Sequence, residues 1–238
     1  ERRNALGVSS DEAERMREIS RKMYYPADEE RGIFVQHDTF LDKDLMPASA
    51  IPPAQRPISR YWSWDKILRS CFIKQADVLQ GLYFLGHLYD RETKRRNFAF
   101  YEPMTVHESS LSPCVHSVLA SELGMREKAM ALYLQTARLD LDNVNRDSAD
   151  GLHVTSMAGA WLAIVQGFAG MRTARGLALA PYLPPGWEGY AFSFGYRGRV
   201  IRLEVNHAGG RLTLASGEAL ALRLFGKDIR LETTYQFI

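Results

Sequence analysis

Two segments of the chain place hydroxyl groups and a histidine just before, or within, the first turn of a helix. Ser109 and Ser110 lie in a polar loop that precedes a predicted helix, while His153, Thr155 and Ser156 open a second, almost entirely apolar helix. Free backbone N–H groups and the positive end of the helix dipole favour an anion at such a place, and hydroxyl and imidazole groups add hydrogen bonds. If the two first turns converge, phosphate is the natural ligand.

Each of these side chains also has an ordinary structural explanation. Serine and threonine are preferred helix caps, and for one hydroxyl taken alone capping is favoured over ligand binding by roughly three to one. A histidine at the mouth of an apolar helix, such as His153, is more often a satisfied structural residue, and His107 suits a loop residue that bonds backbone. Glu102 precedes Pro103, which predicts an extended backbone and an exposed carboxylate.

A lysine and a glutamine point to a sugar as the second ligand. Lys74 and Gln75 open a predicted helix over residues 74–89. The positive end of the helix dipole disfavours an ammonium group at this position, so the lysine is expected to have a specific role there. Hydrogen bonds to the hydroxyl groups of a bound sugar would explain it. Shortly before them, Trp62 and Trp64 stand beside an acidic residue, an arrangement that suits a carbohydrate site and helix packing equally well.

The elements that must position these groups are mainly helical. Apolar residues recur every three to four positions up to about residue 175, which predicts helices. The predicted helices cover residues 10–23, 74–89, 127–139 and 154–170. Residues 33–60 and 97–113 form long polar connections, and the basic run 91–96 is interpreted as a solvated loop.

Beyond residue 175 the pattern changes to strict alternation. Ile201, Leu203 and Val205 alternate with Arg202 and Glu204, and glycines separate this run from similar ones downstream. Alternation with tight turns predicts short antiparallel strands. The fold class is therefore α+β, with a helical part in residues 1–175 and a β part in residues 176–238.

Composition excludes several classes of protein. The 238 residues carry 30 basic and 28 acidic side chains, so the near-neutral surface gives no support for a nucleic-acid partner. No apolar run is long enough to span a membrane. Cys71 and Cys114 stand alone, which predicts free buried thiols in the cytoplasm rather than a disulfide or a metal site. The chain also lacks a glycine-rich phosphate loop, a dinucleotide fingerprint and a nucleophile elbow.

Several long motifs resemble glycoside hydrolase family 65, the disaccharide phosphorylases that act on maltose, trehalose, kojibiose and related α-glucosides. The matching segments are Ile33–Asp42, Arg56–Ile58, Trp62–Asp65, Ile73–Leu79, Tyr101–Ser112, Ala137–Leu141, Gly151–Gly159 and Leu179–Trp187. The resemblance covers most of the chain. It implies a multidomain protein in which residues 1–175 are the C-terminal portion of an (α/α)6 catalytic barrel and residues 176–238 a small antiparallel β-sandwich.

The resemblance also implies an inverting phosphorolysis. Phosphate attacks the anomeric carbon of an α-glucosyl unit while a carboxylic acid protonates the leaving oxygen, giving β-glucose 1-phosphate and a free sugar. Inorganic phosphate is the co-substrate, and no cofactor or metal is expected. By resemblance the glucosyl hydroxyls are held by Lys74, Gln75 and Glu102, and the phosphate candidates are Ser109, Ser110, His153, Thr155 and Ser156.

The general acid of this family lies upstream of these motifs, and no segment of the chain matches it. The chain is therefore expected to be a fragment without activity of its own, and exposed apolar surface or self-association is expected where the rest of the barrel would pack. The disaccharide linkage is left open because the acceptor loops also lie upstream. Whether the full-length protein is a homodimer is left open as well.

Two other functions compete with the phosphorylase. An α-glucoside hydrolase of the same family would need a carboxylate base near the serines, and Glu108 keeps that alternative open. A non-catalytic carbohydrate-binding or assembly module is the alternative from a different class. Phosphate dependence separates the first from a phosphorylase, and binding measurements with a His153→Ala variant test the second.

Overall fold

The computed structural model describes residues 5–7, 9–75 and 77–238, with helices in the first two thirds of the chain. The helices are α1 (Ser10–Lys22), α2 (Ile58–Tyr61), α3 (Trp64–Arg69), α4 (Asp77–Phe84), α5 (Arg91–Tyr101), α6 (Ser112–Leu123), α7 (Arg126–Ala137) and α8 (Val154–Leu162). A π-helical segment, Ala163–Phe168, continues α8. Among the described residues, no helix is both long and apolar enough to cross a bilayer.

Helix α1 is peripheral. The Ser9 hydroxyl caps it by accepting a hydrogen bond from the Glu12 backbone N–H at 3.1 Å, and none of its residues is buried. Glu18 and Lys22 form an ion pair at 2.6 Å, one helical turn apart. The helix therefore lies on the surface and contributes little to the core.

Helix α6 lies at the centre of the helical part. Nearly all of its side chains are buried, and it ends at Gly124, whose φ of 83° is the left-handed conformation that glycine adopts freely. Helix α8 packs against α6 at Gly159, so closely that a Cβ atom added to this glycine would lie 2.8 Å from the Cβ atom of Cys114. Cys71 and Cys114 are free and buried, as predicted.

The basic run 91–96 is helical, so the loop interpretation was wrong. The Asp90 carboxylate caps the start of α5 by accepting from the Thr93 N–H at 2.7 Å, and Glu92 pairs with Arg95 and Arg96 on the exposed face. Lys94 points the other way and is only 5% exposed. Arg95 and Arg96 are thus paired within one helical turn, whereas Lys94 pairs with Glu122 of α6.

The boundaries of the other helices differ less from the predicted ones. The helix predicted over residues 74–89 is shorter, Asp77–Phe84, and is followed by a 3-10 turn at Gly86–Leu88. The helix predicted over 127–139 begins and ends slightly earlier, and the one predicted over 154–170 changes to π-helical geometry at Ala163. The polar connection at residues 33–60 contains three 3-10 turns and buries Phe40 and Ile51.

The last third of the chain forms two sheets around a shared apolar core. The strands are β3 (Ala178–Leu179), β4 (Gly189–Tyr196), β5 (Arg199–Asn206), β6 (Gly209–Ser216), β7 (Leu220–Leu224), β8 (Lys227–Leu231) and β9 (Thr234–Phe237); β1 (Ala27–Asp28) and β2 (Ile33–Phe34) form a separate pair upstream. One sheet has the antiparallel order β4-β5-β6-β9. The other has the order β3-β7-β8, in which β3 runs parallel to β7.

The predicted alternation in β5 is confirmed. Ile201, Leu203 and Val205 are buried, and Arg202 faces outward. The two parts of the chain meet where the Tyr182 N–H donates to the Phe168 carbonyl at 2.9 Å. This junction holds the β part against α6 and the π-helical segment.

One face of α8 leaves large apolar side chains uncovered. Val154, Met157 and Trp161 share this face and are 71%, 52% and 54% exposed. The expected exposed apolar surface is therefore present; self-association stays a prediction.

Candidate active site

A short backbone bridge places the lysine–glutamine pair beside the serine loop. The Ile73 N–H donates to the Met104 carbonyl at 3.1 Å, and the Val106 N–H donates to the Ile73 carbonyl at 2.9 Å. Lys74 and Gln75 follow directly. Because the bridge fixes the register of the two segments, residues 74–75 and the loop at 107–111 face each other.

The serine loop contacts both neighbouring segments. The Gln75 amide donates to Ser109 Oγ at 2.9 Å, and the Thr155 hydroxyl donates to Ser110 Oγ at 2.7 Å. The starts of α6 and α8 therefore converge, which is the condition on which the phosphate hypothesis depends. Lys74, at the edge of this group, is exposed.

The hydroxyls do not cap the helices, so the capping explanation is not realised. Neither α6 nor α8 has a side-chain cap. Ser109 Oγ instead accepts from the Leu111 N–H at 3.1 Å, within the loop. Ser156 is buried, and its hydroxyl donates to the Thr136 carbonyl at 2.7 Å, away from the serine loop. Ser110 and Thr155 are thus the more accessible hydroxyls.

The surroundings of the His153 imidazole favour a positive charge on the ring. Its backbone N–H and its Nδ1 atom bond the two oxygens of Asp140 at 2.8 and 2.7 Å, and Asp147 lies 3.6 Å from Nε2. The hydrogen bond to Asp140, followed by the charge of Asp147, raises the pKa of His153 above its ordinary value. The mouth of α8 therefore favours an imidazolium, one residue before the helix begins.

Glu102 is neither extended nor exposed, so that part of the sequence prediction was wrong. Its backbone is α-helical, with φ of −57° and ψ of −45°, and the residue is 8% exposed. It opens a 3-10 turn in which Pro103 is tolerated, and the Thr105 hydroxyl secures the turn by donating to the Tyr101 carbonyl at 2.8 Å. Tertiary contacts of the buried carboxylate override the local preference that proline imposes.

Three donors surround the Glu102 carboxylate, and we refer to the four residues as the Glu102 cluster. His107 Nε2 lies 3.1 Å and His116 Nδ1 2.5 Å from Oε2, while Lys128 Nζ lies 2.5 Å from Oε1. Burial alone raises the pKa of Glu102, but the hydrogen bonds from the two histidines outweigh it and hold the pKa below its ordinary value. Burial lowers the pKa of His116. The carboxylate is therefore charged and His116 neutral.

Sequence reasoning missed His116 and Lys128. Both are polar residues on helices whose other signals are apolar spacing, and only the packing of α6 and α7 around the end of α5 brings them to Glu102. The ligand atoms of Glu102, His107 and His116 lie within 4.8 Å of one another, as a metal site requires. However, the Lys128 ammonium already neutralises the carboxylate, and the histidines hydrogen-bond it directly, so the donor set fits a hydrogen-bonded cluster better than a metal site.

Glu108, the residue on which a hydrolase would depend, is held by other groups. Its carboxylate accepts from Arg56 Nε at 3.1 Å and from the Ile58 N–H at 2.7 Å. The tryptophans are divided: Trp62 donates to Gln55 and packs on Phe72, whereas Trp64 is 75% exposed. Packing therefore explains Trp62.

Two relatives and a solved structure match this chain over nearly its whole length. The chain is 56% identical over 98% of its length to a maltose phosphorylase of Bacillus subtilis and 37% identical over 95% to an α,α-trehalose phosphorylase of Geobacillus stearothermophilus. It spans about a third of each relative, 31% and 30%. A solved structure described as a candidate kojibiose phosphorylase from the human microbiome superposes with a TM-score of 0.90 at 32% identity, covering 99% of this chain and 33% of that one.

Two family models cover most of the chain. The glycosyl hydrolase family 65 central catalytic domain matches residues 1–162, and the C-terminal domain of the same family matches residues 171–231. The two matches together include Lys74, the serine loop and the start of α8. The chain therefore belongs to glycosyl hydrolase family 65.

Proposed function

We propose that this chain forms the phosphate pocket and one wall of the glucosyl site of an inverting disaccharide phosphorylase. The observation that carries the proposal is the hydrogen bond between Ser110 and Thr155, because it joins two helix starts beside His153. Phosphate bound there would attack the anomeric carbon and give β-glucose 1-phosphate. A glutamic acid upstream of this chain would protonate the leaving oxygen.

The residues divide into two groups in this proposal. The backbone N–H groups at the helix starts, the two accessible hydroxyls and the His153 imidazolium would bind phosphate. Lys74 and Gln75 would bind glucosyl hydroxyls, since the backbone bridge at Ile73 carries them to the same side. Glu102, the third residue expected at the glucosyl hydroxyls from the resemblance, is left out of this group because its buried carboxylate is already held by three donors.

The remaining architectural expectations belong to the same proposal. The helical part would complete an (α/α)6 barrel with a boundary at residue 175, and the two sheets would act as a small β-sandwich. Maltose is the first substrate to test, because the 56% identical relative is described as a maltose phosphorylase. A cytoplasmic location stays a prediction, and the possible homodimer of the full-length protein stays open.

A phosphorolysis assay on the complete polypeptide that contains this chain tests the function. We expect glucose 1-phosphate from maltose, trehalose or kojibiose only when phosphate is supplied, and none from the 238-residue chain alone. Glucose release without phosphate would identify a hydrolase instead. Binding of sugar by the complete polypeptide without turnover of any of these disaccharides would support the non-catalytic module.

His153 offers the sharpest variant. In His153→Ala the KM for phosphate should rise at least roughly tenfold, because a charge-assisted hydrogen bond is lost. His207→Ala is the matched control, since His207 also faces a carboxylate, Glu188 at 3.4 Å, but lies in the β part. Equal phosphate KM values in the two variants would remove His153 from the pocket.

A second pair of variants separates the hydroxyls of α8. Thr155→Val removes the accessible hydroxyl and should raise the phosphate KM roughly fivefold. Ser156→Ala removes the buried hydroxyl that bonds the Thr136 carbonyl, so it should lower stability with a smaller effect on phosphate. The reverse ranking would place Ser156, and not Thr155, at the phosphate.

A further inference from the structure

The loop that carries the candidate phosphate serines is closed by one side chain. His107 Nδ1 lies 2.8 Å from Ser112 Oγ, at the first residue of α6, while His107 Nε2 lies 3.1 Å from Glu102. Residues 108–111, which include both serines, therefore form a loop whose flanking residues, His107 and Ser112, are joined by one hydrogen bond. The loop ends are fixed relative to each other and to the end of α5.

The proton positions follow from the partners. A carboxylate only accepts, so His107 Nε2–H donates to Glu102, and in the neutral ring Nδ1 then accepts from the Ser112 hydroxyl. The second imidazole, His116, donates Nδ1–H to the same carboxylate oxygen. Lys128 supplies the positive charge from α7, at a side chain that is 48% exposed. The two imidazoles and the ammonium group thus all donate to the Glu102 carboxylate.

The backbone of His107 needs this support. Its φ of 56° is a left-handed conformation that a non-glycine residue adopts at a cost of about 1 kcal/mol or more. The residue is 8% exposed, and its carbonyl accepts from Gln135 Nε2 at 3.4 Å. The strained backbone lies two residues before Ser109, so release of the imidazole would let the serine loop relax.

We propose that the Glu102 cluster positions the Ser109–Ser110 loop for phosphate, with Glu102 and His107 acting as positioning residues that do not touch the substrate. This inference rests on the proposed phosphorylase function. It assigns the carboxylate to the phosphate side of the site, through His107, instead of to the glucosyl hydroxyls. A misplacement of the loop by about 1 Å is enough to cost a large factor in rate or affinity.

The test uses the complete polypeptide and measures KM separately for phosphate and for the disaccharide. In Glu102→Gln and in His107→Gln the phosphate KM should rise roughly 10-fold to 100-fold, while the disaccharide KM stays within about twofold. Glu122→Gln is the matched control, because Glu122 is a carboxylate on α6 that pairs with two cations far along the helix from the serine loop. Its phosphate KM should equal that of the unsubstituted protein.

Two results would overturn the inference while leaving the function intact. One is an unchanged phosphate KM in both variants. The other is a raised disaccharide KM with an unchanged phosphate KM in Glu102→Gln, which would assign Glu102 to the sugar. By contrast, if the unsubstituted protein shows no dependence on phosphate, the proposed function fails and this inference fails with it.

A milder variant covers the case in which Glu102→Gln does not fold. Ser112→Ala removes the hydroxyl that closes the loop but leaves all the charges of the cluster in place. We expect the phosphate KM to rise roughly fivefold, the effect of one hydrogen bond. A folded Ser112→Ala protein with an unchanged phosphate KM would contradict the closing role of His107.

Discussion

Two carboxylates, the buried Glu102 and the half-buried Glu122, lie at opposite ends of the antiparallel helices α5 and α6. Glu102, at the end of α5, faces the start of α6, whereas Glu122, near the end of α6, pairs with Lys94 and with Arg172 at 3.0 Å. We refer to these last three residues as the Glu122 cluster. Each carboxylate is thus held by cations or donors from at least two other segments.

The two clusters differ in what they connect. The Glu102 cluster reaches the serine loop through an imidazole, while Arg172 of the Glu122 cluster is bonded through its backbone N–H to Ala178 at the start of β3 at 2.9 Å. The Glu122 cluster also borders a cavity of about 590 Å³ between the helices and the β part. Similar charge chemistry therefore serves the candidate site at one end and the junction between two domains at the other.

The largest expected effect is on Glu102. In Glu102→Ala the free energy of unfolding should fall by about 3 kcal/mol, because two buried imidazoles and Lys128 lose their acceptor in a site that is 8% exposed. Urea denaturation of the 238-residue chain measures this change. A loss below about 1 kcal/mol would mean that the carboxylate contributes little to folding.

Glu122→Ala should cost less, about 2 kcal/mol, by the same measurement. The Lys94 ammonium is left buried, but Arg172 is 37% exposed and can turn to water. The double variant Lys94→Met with Glu122→Leu should recover most of the loss, because apolar residues can replace a buried ion pair. If the double variant were less stable than Glu122→Ala, the Glu122 cluster would need its charges as much as the Glu102 cluster does.

Acid should weaken the Glu102 cluster first. Burial lowers the pKa of His116 from its ordinary 6.5, so the unfolded chain takes up a proton that the folded chain resists, and stability falls as pH drops below 6.5. Each unit of pKa depression removes about 1.4 kcal/mol. Below the ordinary 4.5 of glutamic acid both carboxylates, whose folded pKa values are lowered, add losses of the same sign.

The change with pH is measured by repeating the denaturation between pH 7 and pH 4. A His116→Gln variant should lose the part of the slope between pH 6.5 and 4.5 and keep the part below it. Stability that rises as the unsubstituted chain is acidified from pH 6.5 would contradict a neutral, buried His116.

The smallest expected effect lies beside the Glu122 cluster. Ser121 Oγ and the Tyr182 hydroxyl lie 2.8 Å apart across the junction between α6 and the β part. Tyr182→Phe should lower the free energy of unfolding by about 1 kcal/mol, the typical net value of one hydrogen bond. A loss of about 3 kcal/mol would show that the junction depends on this hydroxyl more than on the ion pairs.

Local patterns were enough to predict part of the structure. The alternation of Ile201, Leu203 and Val205 identifies β5, because in a sheet with one buried face the period of two fixes which side chains point inward. The cap and ion pairs of α1 are equally local. For the candidate site, the residue types at the starts of α6 and α8 suggested phosphate only if the two starts converge, and the contact between Ser110 and Thr155 shows that they do.

The rest depended on contacts between residues far apart in the chain. The helical conformation of Glu102 contradicts the rule for a residue before proline, because its partners His116 and Lys128 come from other helices. Lys94 stands in a run of charged residues, so its burial could not be predicted locally either, since its partner Glu122 comes from another helix. Periodicity describes each helix by itself, whereas these roles arise from the order in which the helices pack.

The uncovered face of α8 gives the candidate site a further property. Val154, Met157 and Trp161 lie along one face of α8, and Thr155 is exposed about 100° around the helix from Val154. A protein surface packed on these apolar side chains would also reduce the access of water to the nearby threonine hydroxyl, which would strengthen electrostatic contacts there. Burial of the apolar face and the strength of the proposed anion site would then be linked through one helix.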